Sequence, residues 1–328
     1  MNLLWGKQIP MNIFNFINRF PDEAACKIHF FNSRVAEGVK CKKCKGLDHW
    51  WLASKEQFEC KQCHFRTTLR SGTVLEHTKL PFKYWVMAIH LMSATKKSFS
   101  ALEIQRQLGH KRYQPVWFLL HKLRIVMGKR DSQYKLSKVI EMDEGFFESV
   151  PAKEIRDENS IEKKKRGRGS QKQAKVLVAI ESQPIPVASQ LEKNKHKPSR
   201  KAGYLKMEVM IELSAPEINY EVAKMVKPDA KVMTDGYKGY NELGEVVSSH
   251  KVCKIPSPEK ASKIFPWVHS AIGNAKKILL GTHHSVGQHY LQNYLNEFCY
   301  KFNRRYFGEG LFDRLMVASV SKSWKGYW

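Results

Sequence analysis

Two aspartates stand where strand ends can carry a divalent cation. Asp143 lies inside the strand-like stretch Lys138-Val-Ile-Glu-Met-Asp-Glu-Gly-Phe-Phe147, and Asp235 closes Lys231-Val-Met-Thr-Asp235 just before Gly236. A carboxylate within one strand and another at the exit of a later strand is the pair that a metal-dependent phosphoryl site needs. Taken alone, an aspartate before glycine is more often a turn cap. His269 follows Asp235 by thirty-four residues, and Lys276 lies seven residues beyond it. Seven residues is close to two helical turns, so His269 and Lys276 share a face. Imidazole is a poor magnesium ligand but suits manganese and other transition ions. A general base and a packed core residue are the other readings of His269. Glu297, 62 residues after Asp235, is the fallback third ligand. Glu297, Lys301 and Arg304 share a helix face, as DNA contacts or as a bracing i,i+4 ion pair.

A second constellation is made of cysteines. Cys41 and Cys44, then fifteen intervening residues, then Cys60 and Cys63 form two tight pairs among seven cysteines. Nothing at the start of the chain reads as a secretion signal, so the pairs read as metal ligands and not as disulfides. Four thiolates close a tetrahedron around Zn2+ and leave no open position, which is the structural kind of site. Lys42, Lys43, Lys45, Lys61 and Arg66 around it are phosphate contacts or a solvated basic face.

Charge narrows the partner. Lys and Arg number 56 against 31 Asp and Glu, a formal net charge of +25. Self-repulsion of that size fits a polyanionic partner, and double-stranded DNA is the leading one. No apolar run is long enough for a membrane span. The chain therefore reads as cytoplasmic and nucleoid-associated, with no membrane partner. The basic run Lys163-Lys164-Lys165-Arg166-Gly-Arg168 is expected to clamp the DNA backbone, or to be a solvated loop.

The elements that must position these residues follow from pattern. Residues 1–37 read as a helical lead-in and 38–76 as the zinc ribbon. Residues 77–132 read as three helices, 82–92, 98–109 and 113–127, with a glycine turn before the third. That is the helix-turn-helix pattern of a DNA reader, and Gln114, His121, Lys122 and Arg124 on the third helix suit it. An ordinary three-helix bundle has the same pattern. Residues 133–328 read as one catalytic domain. Its strands are expected at 139–147, 175–181, 207–213 and 230–234, and its helices at 216–226, 269–280 and 288–302. Loops are expected at 157–173 and 189–203.

Several stretches together resemble the DDE superfamily of transposases and integrases. These are Glu141-Met-Asp-Glu144, Thr234-Asp-Gly-Tyr237 with Tyr240, Gly281-Thr-His-His284, and Tyr294-Leu-Asn-Glu-Phe298 leading to Phe302-Asn-Arg-Arg305. The resemblance covers nearly the whole chain and is closest to bacterial insertion-sequence transposases with an amino-terminal zinc ribbon. It implies an α/β fold, an RNase H-like mixed sheet with flanking helices, behind the ribbon and the helix-turn-helix-like region. It also implies binding of terminal inverted repeats and metal-dependent hydrolysis and strand transfer. Asp143, Asp235 and His269 would then hold Mg2+ or Mn2+, and Lys276 would hold the phosphate. His269 departs from the family, which mostly has Glu there, and Lys301 stands where the family has Arg. Transposon ends and target DNA are the implied partners, with a homodimer or larger assembly on DNA. A catalytically inactive DNA-binding regulator and a metal-dependent nuclease are the alternatives.

Overall fold

The computed structural model describes residues 11–150, 173–185, 200–254 and 264–325. The chain divides into two compact units, residues 1–130 with 304–328, and residues 131–303.

In the first unit, helices α1 (Ile13–Arg19) and α2 (Glu23–Glu37) start where a polar side chain meets orphan amides. Asn12 and Asp22 each accept a backbone N–H three residues on, at 2.8 Å, as helix caps do. Strands β1 (His49–Leu52), β2 (Gln57–Cys60) and β3 (Arg66–Thr68) form an antiparallel sheet. Three helices follow: α3 (Phe82–Ala94), α4 (Ala101–Leu108) and α5 (Tyr113–Asp131). Ser100 caps α4, and Gly109, at a left-handed φ of 62°, ends it.

The second unit is built on one five-stranded sheet. Its strands are β4 (Val139–Glu148), β5 (Gln173–Pro184), β6 (Arg200–Met210), β7 (Lys231–Thr234) and β8 (Ser249–Val252), in the order β6-β5-β4-β7-β8. β4, β5 and β6 are antiparallel, while β7 runs parallel to β4 and β8 parallel to β7. Helix α6 (Ala215–Met225) covers one face, and α7 (Val268–His283) and α8 (Gln288–Asn303) cover the other. The two-residue period of β4 sorts its side chains: Ile140 and Met142 join the α6 core, and Phe147 joins the α7–α8 core. Burial of each such side chain contributes roughly 1.5–3 kcal/mol.

Three features differ from expectation. Arg200 to Gly203, read as loop, begin β6, and Gly203 passes over the Glu181 side chain. β8 is a short, largely polar edge strand with no apolar alternation to signal it. The helix Gly310–Ser321, here α9, belongs to the first unit and not to the sheet domain. Its Phe312 ring meets Phe16, Phe20, His29 and His90, an aromatic cluster that holds it there. The basic run with Lys163, Lys164, Lys165, Arg166 and Arg168 lies outside the described residues. No described helix is long and apolar enough to cross a membrane.

Candidate active site

The site begins with strand register. In the parallel pair, Val139 is level with Lys231 and Glu141 with Met233. Continuing that register puts Asp143 level with Asp235, the residue after β7 ends. Asp143 shares its strand face with Glu141, Gly145 and Phe147, the face covered by α7. Glu144 points the other way, where the Tyr240 hydroxyl donates to its Oε2 at 2.8 Å. Asp235 is held by its own turn: its Oδ1 accepts the Tyr237 N–H at 2.9 Å. Thr234, fully buried, donates its hydroxyl to the Asp235 carbonyl and lies 2.8 Å from His250 Nε2.

α7 lies along β4 and delivers the third group. His269 Nδ1 is 3.4 Å from Asp143 Oδ2. Further along, Ile272 closes over Gly145, where an added Cβ would stand 3.4 Å from the isoleucine and 2.8 Å from Phe147. Lys276 Nζ sits 5.6 Å above the Phe147 ring. Glycine at 145 thus makes room for the Phe147 ring beneath the helix.

Glu141 anchors the start of this helix, a role that its place in Glu141-Met-Asp-Glu144 does not announce. It is fully buried, and its Oε2 accepts the N–H groups of Trp267 and Val268 at 2.9 and 3.0 Å. A carboxylate at a helix N-terminus satisfies orphan amides and meets the positive end of the helix dipole. Its Oε1 is buried without a hydrogen-bond partner, as is His269 Nε2.

Electrostatics mark a place that favours a cation. Burial pushes the Asp143 carboxyl up to about 7, and the charges of Glu144 and Asp235 push the same way. Burial holds the His269 imidazole below its usual value, against the opposing pull of Glu141 and Asp235. His269 is therefore neutral at neutral pH, the form in which imidazole binds metal. His269 Nδ1 facing Asp143 Oδ2, with Asp235 level on the next strand, is a donor set that fits a divalent ion. The three donor groups stand more openly than the cysteines, which among the described residues are the only group of three or more such side chains, all within 4.8 Å, that could hold a metal ion.

Glu297 lies elsewhere. It is on α8, which packs on β6 at the far edge of the sheet, and its carboxylate is fully buried against Lys301 Nζ at 2.8 Å. Lys301 and Arg304, expected as DNA contacts, are both buried, and the ion pair is the arrangement present.

In the ribbon, Cys41 Sγ lies 3.6 Å from Cys63 and Cys44 Sγ 3.5 Å from Cys60. Each knuckle turns through a left-handed residue, Lys45 and His64, whose N–H returns to the first cysteine's carbonyl. Four thiolates so placed fit structural zinc. Of the ribbon cations, Lys42 pairs with Glu76 and Arg66 with Glu59. On α5 the expected DNA-facing set is corrected by burial: His121, Lys122 and Arg124 are all interior. Lys122 Nζ lies 4.2 Å over the Trp324 ring and donates to the Glu76 carbonyl. Gln114 alone of the four is exposed.

A mixed five-stranded sheet between helices, with aspartates level on adjacent parallel strands, is the RNase H-like arrangement. Residues 135–303, just over half of the chain, match the family described as the ISXO2-like transposase domain, and the chain belongs to that family. Comparison with curated proteins and with solved structures returned no match. DNA is the partner that the family implies.

Proposed function

We propose that this chain is the DNA transposase of an insertion sequence, binding its terminal inverted repeats and carrying out cleavage and strand transfer. The observation that carries the reading is Asp143 level with Asp235 and within 3.4 Å of His269, in a chain of a transposase family. Asp143 and Asp235 would hold Mg2+ or Mn2+, with His269 as a further ligand. A bound divalent ion would lower the pKa of water and offset charge on the phosphate oxygens. Water adds to phosphorus at the element's end and the bond to the 3′ oxygen breaks, leaving a 3′-hydroxyl. That hydroxyl then adds to a target phosphorus, and a target 3′-hydroxyl leaves. Lys276, exposed two turns beyond His269, meets the phosphate. Cys41, Cys44, Cys60 and Cys63 hold one structural zinc. Joining two ends in one event calls for at least two chains.

The open spacing of the three donors favours a second reading, a DNA-binding regulator without chemistry. Incubating the protein with an end-bearing duplex and manganese separates the two: the transposase yields joined strands, and the regulator leaves the duplex whole.

A further inference from the structure

The first unit holds an open groove of about 1550 Å³ on the side of α3 and α5. Its wall contains no aspartate or glutamate. Lys79, Lys111 and Arg112 line it, are exposed, and make no ion pair among the described residues. Between the cations stand rings. Tyr113 and Phe118 are 48% and 37% exposed and face the groove, with Tyr84 and Trp324 beside them. The α4–α5 turn brings Lys111, Arg112 and Tyr113 together, because Gly109 reverses the chain there.

We propose that this groove binds a single-stranded segment of DNA, with its phosphates on Lys79, Lys111 and Arg112 and its unstacked bases on Tyr113 and Phe118. The charge favours a polyanion. The rings select the strand state: bases in a duplex offer edges to a protein, whereas unpaired bases offer faces that stack on aromatic side chains. The groove runs from the α4–α5 turn along the first half of α5, and its exposed cations and rings, Lys111, Arg112, Tyr113 and Phe118, stand at the start of the helix. The inference rests on the chain acting on DNA, as proposed above, and extends it to a strand state.

The test is fluorescence anisotropy of the full chain with labelled oligothymidylate, which has no pairing, and with a duplex of equal length. Tyr113→Ala is expected to weaken oligothymidylate binding about fivefold or more and to leave duplex binding unchanged. Tyr113→Phe should restore it. Replacing both Lys111 and Arg112 by alanine should reduce the salt slope for the single strand by about 1.4, the loss of roughly two phosphate contacts. Quenching of tryptophan emission by oligothymidylate that is smaller in Trp324→Phe than in the parent gives a second readout. Unchanged single-strand affinity in Tyr113→Ala, or an equal loss for the duplex, would overturn the proposal. A protein that joins element ends yet ignores oligothymidylate would sink this inference alone. One that binds oligothymidylate yet never processes ends would sink only the proposed function.

Discussion

Glu141 Oε2 accepts the backbone N–H of Val268, the residue immediately before His269, at 3.0 Å. The strand that carries Asp143 therefore also fixes the start of the helix that carries the imidazole. Glu141→Gln retains an acceptor for the two amides, while Glu141→Ala removes it. Alanine is expected to cost about 1–3 kcal/mol, the range for stripping a buried amide of its partner. Glutamine should cost less. Urea denaturation of both variants checks the order; equal losses would mean that the carboxylate does not act as a cap.

The ribbon is expected to hold one zinc per chain. Cys41→Ser should lose the metal and unfold residues 38–76, because a segment this short has little core of its own. The sheet unit should keep its own cooperative transition. Elemental analysis and calorimetry check this, and zinc-free parent protein with an intact ribbon would refute it.

Acid should loosen the first unit in a defined window. Burial raises the Glu76 carboxyl, but Lys42 and Lys325 outweigh it and hold the group at about 2, against 4.5 unperturbed. A lowered folded-state value means stability that is present above about 4.5 and lost as pH falls toward 2. Allowing for solvent screening, the contribution is ~1–2 kcal/mol. Glu76→Gln should lower stability at pH 6 and match the parent near pH 2; a constant difference across the range would oppose this.

The Glu297–Lys301 pair should be structural. Glu297→Ala leaves a buried ammonium without its carboxylate, and breaking a buried pair in this way costs about 3–5 kcal/mol. Replacing both by apolar residues of similar volume should be far milder. If the double replacement is stable yet inactive in end cleavage, Glu297 has a role beyond bracing.

Much of the sheet domain is legible in the sequence, and the reasons are local. Asp143 sits in a strand whose apolar period is plain, and Asp235 follows a short apolar run before glycine. His269 and Lys276 show their common face through spacing alone. Glu141 gives no such signal, since its role depends on which helix lies across the sheet. Lys122 and Arg124 look solvent-facing by type, yet Trp324, some two hundred residues away in sequence, covers Lys122. The same long-range packing draws α9 to the first unit through Phe312. The net charge points to a polyanion, and the family match makes that DNA.

Asp143 and Asp235 together are expected to support strand transfer. The direct measurement is a denaturing gel of a labelled duplex carrying the element's terminal inverted repeat, incubated with target DNA and manganese. Parent protein should give joined strands, and more with manganese than with magnesium if His269 is a ligand. Asp143→Asn and Asp235→Asn, folded and still binding the duplex, should give none. Joined strands from either variant would contradict the account.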